Sequence, residues 1–124
     1  MKTIMAIIRI DKMNETKEAL IEAEIDSFMA TGRVFGRGKG KYDAKVLEGV
    51  KEGVPEAIEL MGPEPRLRPQ RLLTIIVNDN FVKPCIDAIM KANRTDTPGD
   101  GKIFVLPLEE AYRVRTGESG TIVV

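Results

Sequence analysis

The chain has 124 residues, 43% of them hydrophobic and 31% charged, with 19 Lys+Arg against 19 Asp+Glu. That length gives one core, the composition excludes a disordered chain, and zero net charge argues against a general polyanion binder. Histidine is absent and Cys85 is the only cysteine, which excludes Ser-His-Asp and Cys-His catalysis, HExxH zinc sites and an intrachain disulfide.

The opening MKTIMAIIRIDK lacks a signal-peptide pattern, and no apolar run reaches the length of a membrane span. With a single cysteine, this predicts a cytoplasmic protein without membrane insertion. Residues 2–10 read as a strand. Ile4, Ile8 and Ile10 share one face, and Met5 and Ile7 make the other apolar as well, as in a central strand. Asn14 then caps a helix whose stripe is Met13, Leu20 and Ala23, with Thr16 between them. Residues 28–35 read as a second strand, interrupted by Gly32.

From residue 36 to 69 the chain is rich in glycine and proline, with short helical patterns at 44–50 and 55–61. A stretch this long in a small domain is uncommon and usually functional or disordered. Order resumes at Arg71, and 72–77 is a strand with two apolar faces. Asn78 or Asn80 caps a helix bearing Val82, Ile86, Ile89 and Met90, with Pro84 in its first turn. A loop over 93–101 leads to a strand over 102–108. An extended or turn segment follows over 109–115, then a tail ending in the β-prone run Thr121-Ile122-Val123-Val124.

The order strand, helix, strand, excursion, strand, helix, strand predicts an α+β, ferredoxin-like (βαββαβ) antiparallel sheet with both helices on one face. The other face is apolar and uncovered, which predicts oligomerisation.

Three stretches suit an anion. Gly36-Arg37-Gly38-Lys39-Gly40-Lys41 offers glycine amides with cations between them, or else a hinge with solvated charges. Thr95-Asp96-Thr97-Pro98-Gly99-Asp100-Gly101-Lys102 enters a strand and can present amides and an ammonium, or is an ordinary turn. Arg113 and Arg115, two apart in an extended segment, aim two guanidinium forks together, or else pair with Glu109, Glu110 or Glu118. The simplest account is one nucleotide site assembled from all three, with subunit contact as one way to join them. Arg66, Arg68 and Arg71 add charge at the excursion's root and are solvated or reach a bound carboxylate. The acids Glu48, Glu52, Glu56, Glu59 and Glu64 read as a solvated face rather than a metal cage. Cys85 reads as a small packed residue.

With these residues in view, the sequence resembles the PII signal-transduction family over nearly its whole length. Gly99-Asp100-Gly101-Lys102-Ile103-Phe104-Val105 is similar to the family's B-loop, and Arg113-Val114-Arg115-Thr116-Gly117-Glu118 to its C-loop. Phe35-Gly36-Arg37 with Lys39-Gly40 looks like the start of its T-loop, here about 37–69. The resemblance implies a single domain over 1–124, assembled as a trimer with itself or a paralogue, with ATP or ADP in clefts between subunits. Carried over by position, Gly36, Arg37, Gly99, Asp100, Gly101, Lys102, Arg113 and Arg115 hold the nucleotide. Gly38, Lys39, Gly40, Arg68 and Arg71 are the candidates for 2-oxoglutarate, and Mg²⁺ accompanies ATP.

Gly38 stands where the family usually has a metal-coordinating glutamine, and Gln70 stands where it usually has an effector-binding lysine. These departures imply altered effector binding. Together with the longer loop, they make the chain similar to the NifI-type members, most like the second paralogue. That implies a non-catalytic regulator that switches off nitrogenase by binding its dinitrogenase component. The alternatives are a regulator of an ammonium transporter, a ferredoxin-like RNA-binding module with Phe104 as its stacking aromatic, or a weak ATPase. Zero net charge and low aromatic content weigh against nucleic acid, and the lack of histidine or another general base weighs against an enzyme.

Overall fold

A computed structural model of the chain describes residues 1–36 and 67–124. The helical patterns at 44–50 and 55–61, together with Arg37, Gly38, Lys39 and Gly40, lie outside the described residues.

The elements in order are β1 (Lys2–Ile8), α1 (Met13–Glu22), β2 (Phe28–Gly36), β3 (Arg68–Val77), α2 (Val82–Asn93) and β4 (Lys102–Pro107). The strands form one antiparallel sheet in the order β2-β3-β1-β4. This is the ferredoxin-like arrangement read from the sequence. β1 and β3 are central, as their two apolar faces require.

The strand period sorts the sheet into two faces. One carries Ile4, Ala6, Ile8, Leu73, Ile75 and Val77, all buried against Leu20 and Ile25 on one side and Cys85, Ala88 and Ile89 on the other. Each fully buried Ile or Leu contributes about 2 kcal/mol. A buried polar pair ties the helices together. Asn93 Nδ2 donates to Thr16 Oγ1 at 2.9 Å, and Thr16 Oγ1 donates to the Lys12 carbonyl at 2.7 Å. The other face carries the row Met29, Thr74, Met5 and Phe104, flanked by Ile76, Thr3 and Leu106. Among the described residues nothing covers it, and Met29, Phe104 and Leu106 are 53%, 47% and 41% exposed.

Local details correct the sequence reading. β1 ends at Ile8, because the chain turns into a 3₁₀ segment over Ile10–Lys12, so Ile10 leaves the buried face. That segment leads straight into α1, whose first residue is Met13. Asn14 therefore sits inside the helix and caps nothing. A second 3₁₀ segment, Asp79–Phe81, feeds α2 in the same way. Neither Asn78 nor Asn80 caps α2. Asn78 Nδ2 instead donates to the carbonyls of Thr121 and Val124.

The buried stripe of α2 is Cys85, Ala88, Ile89 and Asn93. Ile86 is only half-buried and Met90 is 49% exposed. Burial pushes the Cys85 thiol up to about 11, so it stays protonated and packed.

In β2, Gly32 sits at φ +89, and the register slips between Ala30 and Arg33, a bulge at the interruption the sequence marked. β3 begins at Arg68, earlier than expected. Pro69 pairs with Phe35 beyond the end of β1, where its missing N–H costs no ladder bond to that strand. The β-prone tail forms a 3₁₀ turn over Thr121–Val123 rather than a strand.

Candidate functional site

The turn before β4 is built by a dense polar network. The Asp100 carboxylate accepts from the Thr95 amide at 2.7 Å and from the Thr95 hydroxyl. Those two bonds, the hydroxyl's first, hold its pKa down at about 2, with a smaller push from the Arg9 charge. Arg9 reaches the turn from the end of β1. Its Nε donates to the Gly99 carbonyl at 3.1 Å, and its Nη2 donates to Thr97 Oγ1 at 2.9 Å and the Pro98 carbonyl at 3.1 Å. Nη2 also lies 3.2 Å from Asp100 Oδ1.

Gly99 and Gly101 take φ +98 and +110. A side chain at Gly101 would also overlap the Ile7 carbonyl oxygen, so the turn can lie this close to β1 only as glycine. Successive amides at such glycines form a concavity suited to an anion. Lys102 follows, exposed, as the first residue of β4.

A cleft of about 550 Å³ opens between this turn and the end of β2. Gly36, Gln70, Ile7, Gly99, Asp100, Gly101, Lys102 and Phe104 line it. Gln70 is 7% exposed, and a Cβ on Gly36 would come 2.6 Å from Gln70 Oε1, so the glycine makes room for that amide. A neighbouring cleft of about 360 Å³ is lined by Arg9, Asp11, Arg68, Gln70 and Gly99. The root of the excursion and the glycine turn thus converge.

Arg68 and Arg71 do not act together. They lie three apart in β3 and therefore on opposite faces. Arg68 shares its face with Gln70 and lines the smaller cleft, whereas Arg71 lies on the helix side. Its Nε is buried there without a hydrogen-bond partner among the described residues.

The third stretch lies elsewhere. β4 runs from Lys102, opposite Ile7, to Pro107, opposite Lys2, carrying the chain about 17 Å along the sheet. The C-terminal segment is fastened at that far end, where the Leu108 amide donates to the Met1 carbonyl and Asn78 holds Thr121 and Val124. Of the extended or turn alternatives read for 109–115, the turn forms at residues 114–116, so Arg113 and Arg115 are not joined by an extended run. The chain folds back after Arg113 into a turn closed by the Arg113 amide on the Glu118 carbonyl and the Gly117 amide on the Arg113 carbonyl, both 2.8 Å. Arg113 Nη1 pairs with Glu118 at 2.6 Å, the pairing the sequence offered as the plain alternative. Arg115 is exposed in the turn. Within one chain, neither arginine lines the cleft.

Sequence reasoning missed Arg9, and it did not anticipate that Thr95 clamps Asp100 or that Gln70 is buried against Gly36. The one signal was an arginine closing an otherwise apolar strand. Phe104 lies on β4, an edge of the described sheet rather than a central strand, which removes the stacking platform an RNA-binding reading needs. Among the described residues no helix is long and apolar enough to cross a membrane, and no three His, Cys, Asp or Glu residues cluster as a metal site.

Residues 1–118 match the family described as nitrogen regulatory protein P-II. A protein of Methanothermobacter marburgensis, named nitrogen fixation nifHD region GlnB-like protein 2, is 42% identical over 121 residues, covering 98% of each chain. The protein of the same name from Methanobacterium ivanovii is 43% identical over 122 residues, 97% of this chain and 96% of its own. The nitrogen regulatory protein P-II of Cereibacter sphaeroides is 36% identical over 121 residues, again 97% of this chain and 96% of its own.

Proposed function

The chain belongs to the nitrogen regulatory protein P-II family, and from that premise we propose a ligand-gated, non-catalytic regulator of nitrogen fixation. It binds ATP or ADP together with 2-oxoglutarate and controls its target through the T-loop at about 37–69. The target is the dinitrogenase component of nitrogenase. The names of the relatives from the nifHD region support that choice over an ammonium transporter.

The observation that carries the nucleotide reading is the cleft between Gly36 and the glycine turn. Glycine amides and the Lys102 ammonium meet phosphate oxygens there, and Ile7 offers an apolar wall. The Asp100 carboxylate does not oppose this charge, because Thr95 and Arg9 already neutralise and orient it. Mg²⁺ is held by the nucleotide's own phosphates. On the effector side, Arg68 is the cation on the cleft's face, and Arg71 is not.

Arg113 and Arg115 complete the site from a second copy of the chain, because their own copy holds them at the far end of the sheet. The uncovered apolar face supplies the contact for that assembly, a trimer of this chain or of this chain with a paralogue. Ligand at the T-loop root then selects the loop's arrangement. The coupling is reciprocal, so the target shifts effector affinity by the same factor.

The test has two arms. Calorimetry should detect ATP binding that tightens with 2-oxoglutarate, and no binding with or without it would end the reading. Affinity purification from nitrogen-fixing cells, before and after ammonium addition, should recover dinitrogenase subunits that 2-oxoglutarate plus ATP release. Recovery of a membrane transporter instead would replace the target.

A further inference from the structure

Arg9, the residue after β1, fastens the turn before β4 through its side chain. Its guanidinium touches Thr97, Pro98, Gly99 and Asp100, some ninety positions along the chain. Two of the acceptors are main-chain carbonyls, those of Pro98 and Gly99. The peptides here are trans, so each N–H points opposite to its own carbonyl. Fixing those two carbonyls on Arg9 therefore turns the amides of Gly99 and Asp100 away from it. Arg9 lines the smaller cleft and not the larger one, which the residues it holds line together with Lys102 and Phe104.

We propose that Arg9 is a positioning residue: its fork locks the peptide planes after Pro98 and Gly99 so that the Gly99 and Asp100 amides face the phosphate-binding cleft before any ligand arrives. The inference rests on the nucleotide reading above. A flexible turn rich in glycine would otherwise lose conformational freedom on binding, and pre-orientation removes that cost. The role depends on fork geometry and not on charge alone, because a lysine ammonium cannot span a carbonyl, a hydroxyl and a carboxylate from one planar group.

The test compares the wild type with Arg9→Lys and Arg9→Gln. ATP affinity by calorimetry should fall about tenfold or more in both variants, with melting temperatures close to wild type. In ligand-free samples, the Gly99 and Asp100 amide resonances should shift in both. Arg9→Lys binding ATP like the wild type would mean that charge alone suffices, and would overturn the proposal. So would unchanged affinity in Arg9→Gln. Should either variant fail to fold, the wild type alone decides. Its Arg9 Nε–H should be a protected resonance with hindered guanidinium rotation, and a freely rotating, solvent-exchanged guanidinium would overturn the proposal. A wild type that does not bind ATP sinks the nucleotide reading, while the ligand-free spectra still report on Arg9.

Discussion

Two glycine-bearing turns flank β4, and they are stabilised in opposite ways. The turn leading into it is fastened to a distant part of the chain, with Arg9 and the Ile7 carbonyl on one side and Asp100 clamping Thr95 within. The turn after it, closed by Arg113 and Glu118, uses only its own residues and the neighbouring tail. The first is built into the fold, so it can be rigid before ligand arrives. The second is a local hairpin on the surface, free to serve another molecule. The composite site proposed above would use both kinds: a fixed cradle on one subunit and a reaching pair of cations on the next.

The largest effect should come from asking the two turns the same question. Gly101→Ala places a methyl against the Ile7 carbonyl at a φ of +110. It should cost about 3–5 kcal/mol, read as a lower denaturation midpoint in urea, with ATP binding lost. Gly117→Ala meets nothing within 4 Å at φ +74 and should cost only about 1–2 kcal/mol, the left-handed penalty itself. Equal costs would erase the distinction between a fastened turn and a free one.

A second experiment separates the turns by chain. Lys102→Ala and Arg113→Ala should each weaken ATP binding about tenfold in a uniform oligomer, as the loss of one charge-assisted contact does. Mixed one to one and reassembled, they should regain near-native affinity at about a quarter of the sites, where an intact turn meets intact arginines from its neighbour. A site made within one chain would gain nothing on mixing.

The contrast also explains what could be read from the sequence. Strand order and the central places of β1 and β3 were legible, because burial on two faces leaves a period that needs no partner to interpret. The uncovered face was legible for the same reason. The caps were not: an asparagine before an apolar run looks like a cap, but a 3₁₀ segment ahead of each helix takes that place. The α2 stripe was partly misplaced: Cys85 was read as packed and Ile89 as part of the stripe, and both are buried, but Ala88 was passed over in favour of Ile86 and the exposed Met90. Arg9 was invisible, since its partners lie 88 to 90 positions away. The apparent pairing of Arg113 with Arg115 assumed extended backbone, and the chain's reversal there is set by Gly117 at φ +74.

Acid should reach the first turn through Asp100. Its pKa in the folded protein is about 2, below the ordinary 3.8. The stabilisation is therefore complete above about pH 4 and is lost as pH falls through about 2. The Thr95 amide should stay protected from hydrogen exchange at pH 4–7 and lose protection toward pH 2. Asp100→Asn should remove that dependence and cost about 1–2 kcal/mol at neutral pH. An Asp100 that titrates near 4 in the folded protein would mean the clamp is absent in solution.

The smallest effect belongs to the second turn and is informative for that reason. Arg113 and Glu118 are paired at 2.6 Å, but both side chains are nearly two-fifths exposed. A pair this wet contributes less than about 1 kcal/mol and is screened by salt. Glu118→Gln should therefore leave the melting temperature almost unchanged. Its effect on ATP affinity has a sign that matters. If Arg113 must leave Glu118 to meet a neighbour's phosphate, removing the competitor should tighten binding about two- to threefold, most clearly at low ionic strength. Weaker binding would mean that Glu118 aims Arg113 rather than withholding it. The C-terminal turn would then be as pre-set as the glycine turn, and the division between a fixed cradle and a recruited clamp would no longer describe the molecule.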